Sequence, residues 1–587
     1  MAETAALPRW HSTFIGIRES DLDGALGMVS GRLDEFSGKY LGKVAGMAAD
    51  ELAEALRDYE SLLTPLQQAT TYAEAKLAVD AEDPVSLALL DRCEALWDSV
   101  VERAEFFERE IGELPDSGAA DLLRSPALAE YANHLRKVRA AAGLQPPAPV
   151  AGVFAQLDPI GGWERQARRL LDRIVVTDGG ERLSLGNALP TLYQPDLRRR
   201  RRICAAISAA LEPEVELRAA ALAELTRARI ARHRACGVAG WLHEEQLSNQ
   251  VSHGEVTALL DVVHAQHDIV HHYYQAKSAL FGGQLTDADR YAPVSASAPR
   301  LDWPEACAMV LNSFASLGKT VAAVAAELLD RGAVDALPRR GKRHGAFTFS
   351  MPGGHSCVLV NFTGSPRDVL TLAHELGHAV HGRLSGRQGM LNFAAPTVLA
   401  ETVALFAEAV VMETYGPQLD AAGRQSLLAR RLEDQLVAIF RQVALHDFEA
   451  SVHELVGAGE LPGEAAFGDI WIRGQAALYG PAVSLGAGYR HWWSYVDSFF
   501  FTPGTRYAYA FGQLAATALL VRHRGDPAGF ATRFERLLRA GGSGPPAALL
   551  ADVGLRTADP GGWQAGMSAI RRQVEEFADR AAVRSSG

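Results

Sequence analysis

The sequence predicts a mainly α-helical protein with one small patch of β-structure, on three observations. Ala- and Leu-rich segments with charges at three- and four-residue spacing fill much of the chain, among them 19–112, 128–142, 256–280 and 421–460. That is the pattern of helices with one apolar stripe. Only the stretch from His344 to Phe362 reads differently: it is aromatic-rich, and Gly353 and Gly354 separate two short runs, as in a β-hairpin. Over 587 residues, 48% are apolar and 22% charged, which excludes wholesale disorder and a collagen-like chain.

The first helical stretch, from Glu19 to Gly112, and the one after it end at a proline-rich break, Gln145-Pro-Pro-Ala-Pro149, which reads as a loop. Helical patterning resumes over 166–177 and again from Asp196. Arg198 to Arg202 are five consecutive arginines placed just after Pro195-Asp196, a helix start. With 58 basic against 70 acidic residues and a net charge of −12, they read as a solvated or salt-bridged helix face and not as a nucleic-acid patch. His264, His267, His271 and His272 lie near helical spacing without a partnering glutamate, which favours a structural helix face over a second metal site. Gly318-Lys-Thr320 resembles the end of a P-loop, but Ser313 stands where its first glycine belongs.

The five cysteines form no C-x-x-C pair, and their odd count suggests no disulfide framework. They fit a reducing compartment. The N-terminal residues lack a basic region followed by an apolar core, and no apolar run is long enough to span a bilayer. The expectation is a cytoplasmic protein acting on neither nucleic acid nor membrane.

The chemistry concentrates in Thr371-Leu-Ala-His374-Glu375-Leu-Gly-His378-Ala-Val-His381. This is H-E-x-x-H. On a helix, histidines at i and i+4 project from one face, so both imidazoles can hold one zinc while Glu375 takes a proton from water. The flanks predict that helix: Ser365 as N-cap, Pro366 in the first turn, Asp368 at the third position and a stop near Gly386. The bland reading is a surface helix with two solvated histidines. A catalytic zinc needs a third protein ligand. A second helix is expected from about Thr397 to Gly416, and Glu401 falls within it, 23 residues after His378, with room for a loop and a return. Glu408, seven residues on, shares its face. It is either an ordinary surface carboxylate or an acceptor that orients a ligand histidine.

With these residues in view, the chain resembles the oligoendopeptidase F and thimet oligopeptidase group of zinc metallopeptidases. The resemblance runs from about residue 110 to about 580. Its landmarks are Asp289–Pro293, Gly341–Phe347, Val360–Gly364, Arg367–His378, Ala400–Thr402 and Tyr507–Gly512. It implies a helical ellipsoid with a deep substrate channel and a small β-hairpin beside the zinc helix. It also implies an N-terminal helical region at 1–195 and a catalytic domain at 196–587. His374, His378 and Glu401 would hold one zinc ion, Glu375 would be the general base, and short peptides would be the substrates.

The resemblance breaks in one segment. Where similar members carry two histidines and a tyrosine, this chain has Ser498, Phe501 and Thr505. In the family, a histidine and a tyrosine from this segment stabilise the oxyanion. Tyr507 and Tyr509 remain, and either could face the metal. His491 reads as a helix-surface residue. The leading expectation is a zinc-dependent metalloendopeptidase of short oligopeptides. Its rivals are an altered zinc enzyme acting on a peptide-derived metabolite and a peptide-binding protein with little turnover.

Overall fold

A computed structural model describes residues 7–10, 19–238, 240–294 and 300–585. Among the described residues it is mostly helical, as expected, but it has three small sheets where the sequence predicted one patch. The helical stretch read over 166–177 ends at Asp172, and Val175–Asp178 is a strand paired with Glu181–Ser184. Ala239, which ends one helical stretch of the sequence pattern, lies outside the described residues.

Three long helices, Glu19–Tyr40, Ala49–Val79 and Pro84–Gly112, form the N-terminal bundle. Leu52, Leu56, Tyr59, Leu63 and Leu66 recur every three or four residues on the second helix, and all are buried. That spacing draws a single apolar stripe into the bundle. Phe36, Tyr59 and Phe107 fill its centre with ring centroids 5.2–5.5 Å apart. Asp83 caps the third helix by accepting from Ser86 N, with Pro84 at the first helical position.

This bundle is tied to the centre of the molecule by polar contacts. Glu60 accepts from Leu391 N at 3.0 Å and from the Tyr131 hydroxyl at 3.0 Å. Asn392 Nδ2 donates to Glu130 O at 2.8 Å. Gln68 Nε2 donates to Pro352 O at 3.1 Å. The bundle therefore grips both the hairpin turn and the connection that follows the H-E-x-x-H helix.

A second core joins segments far apart in sequence. Ile203, Ile207 and Leu222 pack with Phe448, Trp471, Trp492, Trp493 and Phe499. The arginine run borders it. Arg200 is 1% exposed and Arg201 half-exposed, both paired with Asp289, while Arg202 pairs with Asp178. This is the salt-bridged face that the acidic composition favoured. His264 pairs with Asp447 at 2.9 Å and His271 lies 2.9 Å from Ala477 O. Among the described residues, neither contributes to a metal-ligand cluster.

The largest core takes in the helices beside a three-stranded sheet and reaches the sheet through Val334 and Val358. Phe347–Met351 pairs antiparallel with His355–Leu359, placing Phe349 opposite Cys357, so the expected hairpin is present. Val334–Asp335 adds to the far side of the second strand in parallel. Phe347–Met351 is thus an edge strand.

Candidate active site

The H-E-x-x-H helix spans Pro366–Ser385. Ser365 Oγ accepts from Asp368 N at 3.3 Å and the Asp368 carboxylate accepts from Ser365 N at 3.1 Å, completing the expected capping box. Gly386 follows the last helical residue and opens a short 3₁₀ turn. The return helix is Thr397–Tyr415, with Pro396 at its N-cap position and no side-chain cap.

Gly377 brings these two helices together. A Cβ at this position would lie 3.0 Å from Ala407 Cβ and 3.1 Å from Ala404 Cα. Only a residue without a side chain permits so close an approach. The approach carries Glu401 to the histidines. Glu401 Oε1 lies 3.6 Å from His378 Nε2, and Oε2 lies 3.7 Å from His374 Nε2. One ligand atom from each of the three residues falls within a 4.8 Å cluster. The two imidazole rings meet edge-on, centroids 4.9 Å apart. Glu408 Oε2 stands 3.7 Å from His374 Nδ1, on the other side of that ring, which favours its reading as the carboxylate that orients His374.

Glu375 is buried among these groups. The Thr348 hydroxyl, on the edge strand, lies 2.8 Å from both Glu375 Oε2 and the Glu375 carbonyl. Nothing in the local sequence pairs residues 348 and 375. The only signal was a strand of alternating polarity near the motif.

Burial raises the Glu375 and Glu401 carboxyls above the ordinary range. Burial, with His374 and His381 nearby, pulls His378 down to about 3. For His374 burial acts in the same direction, but Glu408, Glu401 and Glu375 outweigh it and raise its value. His381, one turn after His378, is buried and its Nε2 meets no partner. These side chains line a cavity of about 520 Å³ that also takes in Phe347, Ser350 and Phe393. A neutral imidazole, a second imidazole and a carboxylate converging beside a cavity form an N,N,O donor set with an open side.

Residues 318–569, which contain both helices, match peptidase family M3. The chain is similar to the oligoendopeptidase F group of this family. Oligopeptidase PepF of Bacillus subtilis is 23% identical over 560 residues, covering 92% of this chain and 82% of the relative. Group B oligopeptidase PepB of Streptococcus agalactiae is 21% identical over 503 residues, covering 84% and 83%. Oligoendopeptidase-F from Enterococcus faecium shares the fold with a TM-score of 0.70 at 20% identity, over 96% of this chain and 99% of that one. A Chlamydophila abortus protein described as a peptidase superposes with a TM-score of 0.85 at 21% identity, over 97% and 98%.

The tyrosine segment begins the helix Arg506–Gly525, which packs along the return helix. A Cβ on Gly512 would lie 3.1 Å from Glu401 Cβ. The two tyrosines diverge. Tyr507 is buried, and its hydroxyl donates to Glu245 O at 3.3 Å. Tyr509, one turn before Gly512, is 48% exposed. Neither tyrosine lines the cavity around the histidines. Ser498 is buried and its hydroxyl has no partner. Thr505 donates to Thr502 O at 2.9 Å, and Phe501 stacks under Arg168. His491 is not the surface residue the pattern suggested. It is largely buried, 3.0 Å from Glu464, because the segment 487–495 winds as a 3₁₀ helix that turns it inward.

Proposed function

We propose that this protein is a zinc-dependent metalloendopeptidase of short oligopeptides. His374, His378 and Glu401 hold one zinc ion per chain, and Glu375 is the general base. The observation that carries this reading is the convergence of the three ligand atoms within 4.8 Å beside the Glu375 carboxylate. Zinc held there supplies a Lewis acid for the scissile carbonyl and acidifies water.

The chain's own residues do the rest. Glu375 takes the proton from the attacking water at its carboxylate and passes it to the leaving amine. Thr348 fixes the orientation of that carboxylate through its hydroxyl. The Glu408 carboxylate, 3.7 Å from His374 Nδ1, favours the ring orientation that turns Nε2 towards Glu401. The free edge of Phe347–Met351 offers main-chain donors and acceptors to an extended peptide, the mode of strand addition. Of the two tyrosines, Tyr509 is the group free to reach a substrate carbonyl, because the Tyr507 hydroxyl is committed to Glu245. Among the described residues no helix is long and apolar enough to cross a membrane, and the cysteines are all free thiols. We place the protein in the cytoplasm on the thiols.

Metal analysis combined with cleavage of a quenched peptide library tests this function. One zinc per chain and cleavage within short peptides are expected. A metal-free wild type, or no cleavage by the zinc-loaded protein, overturns it. One observation favours a second reading, an altered zinc enzyme: Ser498, with its unpartnered hydroxyl, stands where the family histidine is expected. Ser498→His with Thr505→Tyr should raise turnover of generic peptides if the chain is a weakened oligopeptidase. A gain on generic peptides coupled to loss on the native substrate favours the altered enzyme.

A further inference from the structure

A second cavity of about 520 Å³ lies where four helices meet at the far end of the return helix. Glu413 and Met412 come from the last turns of that helix. Arg424 and Arg431 come from Ala421–Leu436, Arg524 from the end of Arg506–Gly525, and Arg572 and Arg580 from Pro560–Ser585. Glu413 is 12 residues beyond Glu401, about 18 Å along a helix, so this cavity is separate from the one around the histidines.

Five arginines line it against two carboxylates, Glu413 and Glu576, leaving a surplus of three positive charges. Glu413 is already shared: Arg431 Nη1 lies 3.1 Å from Oε1, and Arg524 Nε donates to Oε2 at 3.0 Å. Glu576 is taken by Arg580 at 2.6 Å. Arg424 donates to Leu419 O. Arg424 keeps further donors, and two other guanidinium groups stand out. Arg431 has a side chain only 11% exposed, and its Nη2 is buried with no acceptor. Arg572 is exposed at the cavity and engages no carboxylate among the described residues. Burial holds Arg431 below the ordinary arginine range even with Glu413 against it. A buried donor without an acceptor is costly, and more so when it is charged.

We propose that this cavity binds a phosphate group, free or esterified. Guanidinium forks match phosphate oxygens in pairs. A phosphate presents at least three acceptor oxygens and close to two negative charges, so it can meet Arg431 and Arg572 together and offset most of the surplus. A single carboxylate carries one charge and serves one fork. Met412, Leu427 and Leu428 supply an apolar side to the cavity, which suits the organic part of a phosphate ester. The volume lies within the usual range of small-molecule sites, roughly 300–1,000 Å³.

Titration calorimetry on the full chain tests this with inorganic phosphate, phenyl phosphate and succinate. It does not depend on peptidase activity. Saturable binding of a phosphate is expected, with a dissociation constant at or below about 1 mM, weakened at least tenfold in Arg572→Glu and in Arg431→Gln. Tighter binding of phenyl phosphate assigns an organic phosphate as the occupant, and equal binding assigns the free ion. Either supports the site. No saturable heat with either phosphate, unchanged binding in Arg572→Glu, or succinate binding as tightly as phosphate overturns it. If Arg431→Gln fails to fold, Arg572→Glu decides alone, because its exposed side chain takes part in no packing core.

Discussion

The hydroxyl of Thr348 lies 2.8 Å from Oε2 of Glu375, linking the edge strand of the hairpin to the H-E-x-x-H helix across 27 residues of chain. A hydrogen bond to a charged group contributes on the order of 1.5–3 kcal/mol. Thr348→Val keeps the branched shape that suits a strand and removes the donor. It should lower kcat on a quenched peptide by roughly tenfold to a hundredfold, with zinc content unchanged. An unaltered kcat would show that the contact does not orient the base.

Glu375→Gln should retain zinc and lose hydrolysis by roughly 10²–10⁴-fold, since the amide cannot accept the water proton. Elemental analysis and a steady-state assay on the same preparation check both halves. Hydrolysis at the wild-type rate assigns the base elsewhere.

The double variant His378→Ala with Glu401→Ala leaves a single imidazole from the ligand cluster. Zinc per chain should fall to near zero while circular dichroism stays helical. Zinc retained at the wild-type level would place the metal somewhere other than this cluster.

Gly377→Val pushes a side chain into Ala404 Cα and Ala407 Cβ, which stand at 3.1 and 3.0 Å from the first added carbon. Because one of those atoms is backbone, the helices must move apart. Overpacking of this kind costs about 1–3 kcal/mol. The melting temperature should fall, and zinc affinity should fall with it, because Glu401 travels with the return helix. A loss of stability with zinc affinity intact would separate packing from the site.

Glu449 is buried, and burial pushes its carboxyl up to about 8 against the pull of Arg506, Gly504 N and Arg229. The folded protein therefore binds this proton more tightly than the unfolded chain. The resulting stabilisation is fully present below the ordinary glutamate value of 4.5 and is lost as pH rises from there through about 8. Glu449→Gln removes the titration. Its melting temperature, compared with wild type across pH 5 to 9, should gain on the wild type as pH rises. Parallel curves would show that Glu449 does not titrate in this window.

What could be read from the sequence was local. The helical periodicity, the Ser365–Pro366–Asp368 cap, the i and i+4 histidines and the Gly353–Gly354 turn each depend on residues within about five positions of one another, and the structure contains them all. Hydrogen bonding and side-chain direction in helices and turns act over that range. Glu401 was legible one step further out: the spacing left room for it on a returning helix, and the family resemblance implied its role as third ligand.

The remaining features depended on packing between distant segments. Tyr507 and Tyr509 are two residues apart on one helix, and so point to nearly opposite sides. Which of them is buried depends on Glu245, some 260 residues earlier. The reach of Thr348 to Glu375, the clamp of Glu60 on Leu391 and the arginine cavity drawn from four helices also join parts of the chain with no local signal. Periodicity states that a face will be buried. Only the tertiary structure decides against what, because close packing and the pairing of buried charge are settled by whichever segments meet there.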